Sequence, residues 1–278
     1  MSIQNKFNNE LLNMNKKILV IGDLCTDTFI YGKATRLCPD VPAPILIPSK
    51  TVVDMGMAGN VVKNFRSLGV DVDFIHNTEK EMNKIRYVDE QTNHTFLRVD
   101  EGDESEKGCV AGSCWHDPKD YDAIVISDYC KGFVTESIIR HCCEKNPNVF
   151  IDTKKVLGDF CKKAKAIKIN EPEYKALEGK INEEEWEENL IVTLGKQGCR
   201  WKGCVYAAFE VEVFDLCGAG DSFLAALVYK YLETDCMMES IIFANDMASQ
   251  VVQKRGVVAC FSRTNDVGEE ELVKKINA

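Results

Sequence analysis

Five short apolar runs, each closing on a polar residue, constrain the fold of this chain more than any other feature. They are Lys17–Asp23, Ala123–Asp128, Val149–Asp152, Ala166–Asn170 and Leu190–Gly195. A continuous apolar run of this length is the pattern of a strand buried on both faces, as in a parallel sheet covered by helices on each side. Helical spacing fills the intervals at Ala58–Leu68, Thr135–Glu144 and Ser240–Lys254. A shorter helical stretch, Pro172–Leu177, carries its proline where a first turn tolerates one. Strand and helix in alternation predict an α/β fold, a doubly wound, mostly parallel sheet flanked by helices. Such sheets bind ligands at the carboxyl ends of their strands. Asp23, Asp128, Asp152, Asn170 and Thr193 all fall there.

Three segments break this rhythm: Ala43–Val53, Lys84–Val88 and His94–Asp100 read as strands with no helix between them. They predict a small β-sheet standing off the main one, or else an edge extension of it. Placed over the strand ends, such a sheet acts as a lid that keeps water from a reacting centre. No internal repeat, low-complexity tract or Pro/Gly/Ser linker is visible, so residues 1–278 read as a single domain with lid strands at about 43–53 and 84–100 inserted. The acidic run Glu183–Glu188 reads as a solvated helix.

The segment Phe214–Phe223 carries the chemistry. Gly218, Ala219 and Gly220 lead into Asp221, and an apolar helical pattern follows at Phe223, Leu224, Leu227, Val228 and Tyr231. Small residues at a loop-to-helix junction let backbone N–H groups approach an anion, and the helix N-terminus adds partial positive charge. A carboxylate inside such a site repels a purely bound phosphate. It fits if it takes a proton from a hydroxyl while the N–H groups hold developing phosphoryl charge. In isolation the segment serves equally as a tight turn with Asp221 as a helix cap. Neither the G-x-x-x-x-G-K-[ST] loop nor the protein-kinase signature set occurs.

Composition narrows the partners. Thirty-four basic against 44 acidic residues give a net charge of −10, which argues against a nucleic-acid partner without forbidding a local anion site. No run is long and apolar enough to span a bilayer. Met1–Lys17 is polar, Asn-rich and without the apolar core of a signal peptide, so a cytoplasmic protein is expected. The 13 cysteines then read as reduced thiols in the interior, and with 4 histidines no zinc site is expected.

These motifs resemble the ribokinase/PfkB family of carbohydrate kinases from about Lys17 to about Ala259. Asp215–Phe223 matches the C-terminal signature of that family, and Gly56-Met57-Ala58-Gly59-Asn60 with Leu68-Gly69 matches its N-terminal one more loosely. Within the family the chain looks most like the heptose-7-phosphate kinase domain of ADP-heptose synthesis. The carrying segments are Gly22-Asp23, Asp27, Tyr31-Gly32, Arg36–Pro44, Leu97–Glu101, Ser127–Gly132 (SDYxKG), Asp152-Thr153-Lys154 (DPK) and Asn170–Glu173 (N-x-x-E). Departures are Met57 and Gly59 within the usual GGAAN, Cys217 in place of Thr before GAGD, and a stretch between Gly69 and Lys84 that reads as shortened by a helix–strand unit. No segment resembles the nucleotidyltransferase domain often fused behind such kinases.

The resemblance implies a ribokinase-like fold with a β-sheet lid, ATP and Mg²⁺ as cofactors, and a sugar or sugar phosphate as acceptor. It implies Asp221 as base, with Gly218, Ala219 and Gly220 donating N–H groups to the transferred phosphoryl. Asp23, Gly56, Asn60, Arg98, Asp128 and Lys131 would line the acceptor, with Arg98 and Lys131 meeting anionic groups. Lys154, Asn170, Thr193, Gly195 and Asn245 would meet the nucleotide, and Glu173 would hold Mg²⁺ through water. Another PfkB substrate, a non-catalytic sugar or nucleotide sensor, and a structural subunit of a larger synthase are the competing expectations. A homodimer through the lid sheet is expected from the apolar strand Ile45–Val53.

Overall fold

The structure, a computed structural model, describes residues 16–109 and 116–253. Two sheets organise it. The larger has eight strands: β1 (Lys17–Gly22), β4 (Asp71–His76), β7 (Ala123–Asp128), β8 (Val149–Thr153), β9 (Ala166–Asn170), β10 (Leu190–Thr193), β11 (Cys199–Trp201) and β12 (Cys204–Tyr206). Their spatial order is β12-β11-β10-β9-β8-β7-β1-β4. The pairs from β4 across to β10 are parallel, and β11 and β12 close one edge antiparallel.

Period-two alternation sends successive side chains of β1 to opposite faces. Ile18 and Val20 join the core beneath α1 (Ala58–Ser67), α4 (Ala219–Thr234) and α5 (Met237–Val251). Leu19 and Ile21 join the core beneath α2 (Glu136–Lys145) and α3 (Glu171–Leu177). All four are fully buried, which is why the run carries no polar residue until its end. Local chemistry sets the helix starts. Thr135 Oγ1 accepts the Ile138 N–H at the head of α2, and Asn170 and Glu173 form a reciprocal capping box on α3.

The second sheet has the order β3-β2-β5-β6, from β2 (Leu24–Leu37), β3 (Pro44–Met57), β5 (Asn83–Asp89) and β6 (Thr95–Glu101). It is a separate sheet and not an edge extension. The sequence reading lacked β2, because Asp27 and the flanking threonines interrupt its apolar signal. It also lacked β4, which lies inside the stretch read as shortened, and the β11–β12 hairpin. The acidic run is not a helix: Glu183–Glu185 is a single 3-10 turn, and Trp186 beside it is buried in the core. The last helix begins three residues earlier than its apolar spacing suggested. Cys25, Cys142, Cys143, Cys161 and Cys199 are buried as expected, whereas Cys109, Cys130 and Cys204 are exposed. No helix among the described residues is long and apolar enough to cross a membrane.

Candidate active site

Asp221 lies in the first turn of α4, and the chain enters that helix through Gly218 at φ 78°. This left-handed conformation is free of cost only for glycine. The Asp221 carboxylate is 8% exposed and held by two donors on opposite sides. Asn60 Nδ2, from α1, donates to Oδ2 at 2.8 Å, and the Tyr129 hydroxyl, from the loop after β7, donates to Oδ1 at 2.9 Å. Burial pushes the Asp221 carboxyl up to about 6, while the Asn60 bond, the Lys168 charge and the Tyr129 bond pull it down. An acceptor of protons with that value is ionised at neutral pH and close to its most effective range.

Beneath the loop lies Lys168, in the middle of β9. Its Nζ binds Asp152 Oδ2 at 2.7 Å, across the register of β8 and β9. A Cβ on Gly220 would stand 2.9 Å from that Nζ, so the ammonium presses against the start of α4. Burial works against its charge, but Asp152, Asp221 and Glu173 outweigh it and the Lys168 pKa rises.

On one side of Asp221 stands the inner face of the lid. Cross-strand register puts Cys25, Asp27, Phe29 and Tyr31 on the same face as Lys84, Arg86, Arg98 and Asp100. Asp27 is 7% exposed and pairs with Arg86. A Cβ at Gly56 would overlap Asp27 Oδ2 and Cys25 Sγ, so only glycine lets β3 pass this close. A cavity of about 360 Å³ opens between this face and residues 213–217.

On the other side lies a cavity of about 450 Å³, lined by Thr193, Gly195, Ala219, Gly220, Phe223 and Asn245. Asn245 spends its amide N–H on the Tyr206 carbonyl, 2.9 Å, tying α5 to β12. A further cavity of about 360 Å³ gathers Lys154, Lys155, Asn170, Glu173 and Lys180. Glu173 Oε2 accepts the Asn170 N–H at 2.8 Å. Among the described residues no cluster of three or more His, Cys, Asp or Glu side chains is arranged around a metal. A lone hard carboxylate beside lysines fits Mg²⁺ held through water and phosphate oxygens and does not fit an all-protein cage.

Four residues expected at the acceptor already have protein partners. Asp23 is wholly buried, and its oxygens accept the N–H groups of Tyr129, Lys131 and Phe133, so it braces the loop after β7. Asp128 accepts from Cys130 N–H, Thr153 Oγ1 and Lys155 Nζ, so its charge is used beside β8. Lys131 is paired with Asp103, and Arg98 makes a two-point bond to Asp100. Conversely, sequence reasoning assigned no role to Asp27, Arg86, Lys168 and Tyr129. A lysine inside the apolar run Ala166–Asn170 was the available signal for Lys168. For Arg86 there was none, because its partner lies on a different strand.

Comparison with known proteins points to one family. The profile of the pfkB family carbohydrate kinases covers residues 57–265. The bifunctional protein HldE of a Nitratiruptor species is 29% identical over 299 residues, a span of 87% of this chain and 63% of that protein. Among solved structures, ribokinase from Thermotoga maritima is similar at TM-score 0.63 and 16% identity, over 87% of this chain and 94% of its own. Arabidopsis thaliana ribokinase, solved with ribose and ATP, is similar at TM-score 0.61 and 15% identity, over 89% and 95%. The fold is therefore ribokinase-like, and with the family signature spanning three quarters of its length, the chain belongs to the pfkB family of carbohydrate kinases.

Proposed function

We propose that this sugar kinase transfers the γ-phosphoryl group of ATP to O1 of D-glycero-D-manno-heptose 7-phosphate. The observation that carries the reading is the buried, doubly held carboxylate of Asp221 between an apolar cavity and the polar inner face of the lid. The apolar cavity suits a nucleobase, with Thr193, Gly195 and Asn245 on its wall. Asp221 takes the proton of the acceptor hydroxyl as that oxygen attacks the γ-phosphorus. The N–H groups of Gly218, Ala219 and Gly220 and the Lys168 ammonium hold the charge on the transferred group, since positioning and charge stabilisation dominate such transfers. Glu173 and Asn170 would hold Mg²⁺ through water, and the ion would supply neutralisation of phosphate charge. Asp27, Gly56 and Asn60 line the acceptor side, and Lys154 faces the phosphates. The heptose acceptor is supported by the SDYxKG and DPK resemblances and by the HldE relatives.

A sugar without a phosphate is the second reading. It is favoured by Arg86, Arg98 and Lys131, each already neutralised by a carboxylate. ADP release with Mg-ATP over heptose 7-phosphate, sedoheptulose 7-phosphate, fructose 6-phosphate, fructose, ribose and adenosine decides between them. Turnover confined to heptose 7-phosphate is expected; turnover on an unphosphorylated sugar favours the second reading; ATP binding with no turnover returns the sensor.

The working protein is a cytoplasmic homodimer in this reading. Ile30, Val53, Ile85, Tyr87, Leu97 and Val99 share the outer face of the lid, and Val53 and Leu97 are exposed. A contiguous apolar face on a sheet calls for a cover. Light scattering at micromolar concentration is expected to return twice the chain mass, and Leu97→Lys to return the monomer. A monomeric parent removes the dimer.

A further inference from the structure

We propose that Tyr129 is the positioning residue for Asp221, holding the carboxylate in place and favouring its ionised form through the hydroxyl bond. The inference rests on Asp221 being the base. Among the described residues each Asp221 oxygen has one protein donor, Asn60 on Oδ2 and Tyr129 on Oδ1, so the carboxylate plane is fixed while each oxygen keeps a second lone pair for the acceptor hydroxyl. The Tyr129 hydroxyl therefore aims the base without occupying all of its acceptor capacity.

Tyr129 is itself immobilised from three directions. Its N–H donates to Asp23 Oδ2 at 2.9 Å, and the same buried carboxylate takes the N–H groups of Lys131 and Phe133. The next residue, Cys130, is at φ 57°, a left-handed conformation uncommon for a residue with a side chain. The Tyr129 ring rests against the small cluster of Cys25, Met57 and Met82. This gives Asp23 its function: a carboxylate taken out of water and spent on three backbone N–H groups shapes the loop that delivers one hydroxyl.

Charge reinforces the bond. The Lys84 ammonium stands 5.5 Å and the Lys154 ammonium 5.3 Å from the Tyr129 ring centre. Among the described residues neither makes a salt bridge to a carboxylate. Positive charge at the ring makes the phenol a stronger donor. Burial and the Asp221 charge keep the phenol proton in place, raising the Tyr129 pKa well above its ordinary value. The charged and titratable groups facing Asp221 are Lys168 from β9, Asp152 from β8 and Tyr129 from the loop after β7. Beyond Tyr129 lie Lys84 on the lid and Lys154 after β8. Of these groups only Tyr129 both donates directly to the carboxylate and lies against a lid ammonium.

The test is Tyr129→Phe in the full chain, which keeps the ring, its packing and both ammonium contacts and removes one oxygen. The Asp221 carboxyl is titrated in the ligand-free protein by ¹³C NMR, with Asp221→Asn to assign the signal. In parallel kcat/KM is followed from pH 5 to 9 with Mg-ATP and heptose 7-phosphate. The Asp221 midpoint is expected to rise by roughly one pH unit, the equivalent of one lost hydrogen bond to a charged group. The acid limb of kcat/KM should move up with it, kcat should fall about tenfold from lost aim, and the KM for ATP should hold. An unmoved midpoint overturns the proposal, whatever happens to the rate. A raised midpoint together with undiminished turnover by Asp221→Asn upholds the contact and discards Asp221 as base.

Discussion

Asp221→Asn is expected to lower kcat by roughly 10²–10⁴-fold, the range for losing a positioned general base, while the melting temperature rises. The two effects have one cause. The Asp221 carboxyl is raised from 3.8 to about 6, chiefly by burial. A group whose folded pKa lies above its unfolded value stabilises the fold fully below the unfolded value and loses that contribution as pH climbs through the folded one. At pH 7 the ionised, buried carboxylate therefore costs the fold on the order of 3 kcal/mol, because each pH unit between its folded and unfolded values is worth about 1.36 kcal/mol. Asparagine removes the charge, keeps the shape and still offers an oxygen to one of the two donors. Part of the gain is lost, because its own amide N–H₂ must face the other donor. A net gain of about 1 kcal/mol remains at pH 7. Melting curves of parent and variant at pH 7 and pH 5 check the sign: the gap should narrow at pH 5, where the parent carboxyl is protonated. Retained turnover would remove Asp221 from the proton transfer. A lower melting temperature would mean that attraction to Lys168 outweighs the burial cost. Parent activity should itself decline below about pH 6, as the base fills with its own proton.

The same unequal demands explain how much could be read in advance. Residues buried on both faces of a sheet must be apolar at every position, so β1, β7, β8, β9 and β10 were legible as runs. The GAGD segment was legible because Gly218 is left-handed, a conformation that favours glycine, and Gly220 lies close against the Lys168 ammonium. The lid was harder. Its inner face is polar and its outer face apolar, and the 14-residue β2 carries Asp27 between two threonines in its first half. Periodicity alone then reads as interrupted. Hardest were the pairings. Whether a carboxylate at a strand end turns into the cleft or back into the scaffold depends on which donors the neighbouring loop brings. Asp23 and Asp221 look alike as Gly-Asp dipeptides in sequence. Three backbone N–H groups converge on the first, while two side chains on different elements leave the second open to a substrate. Met57 shows the converse case: at φ 55° and ψ −129° it holds a conformation suited to glycine, so the departure from GGAAN is absorbed as local strain beside the Cys25, Met82 and Tyr129 cluster.

Lys168→Met is expected to cost about 3–5 kcal/mol of stability, the range for breaking a buried ion pair from one side. Lys168 is 5% exposed and Asp152 is its bonded partner at 2.7 Å, so methionine fills the volume but strands a carboxylate. The scaffold and the chemistry separate in the double variant Lys168→Met/Asp152→Leu. Replacing both members of a buried pair with apolar groups is often neutral for stability, so the double variant should melt near the parent. Its turnover should nonetheless stay low, because the ammonium that abuts Gly220 beneath the phosphoryl site is gone. Loss of that positive charge also weakens the ionised form of Asp221, whose pKa it pulls down, so the acid limb of activity should move upward in Lys168→Met; in the double variant the loss of Asp152, which pushes that pKa up, offsets the shift. Recovery of stability without recovery of rate would make Lys168 a charge held for the reaction and Asp152 the residue that keeps it charged. Recovery of both would reduce the pair to scaffold, and the stabilisation of the transferred group would then rest on the backbone N–H groups of Gly218, Ala219 and Gly220.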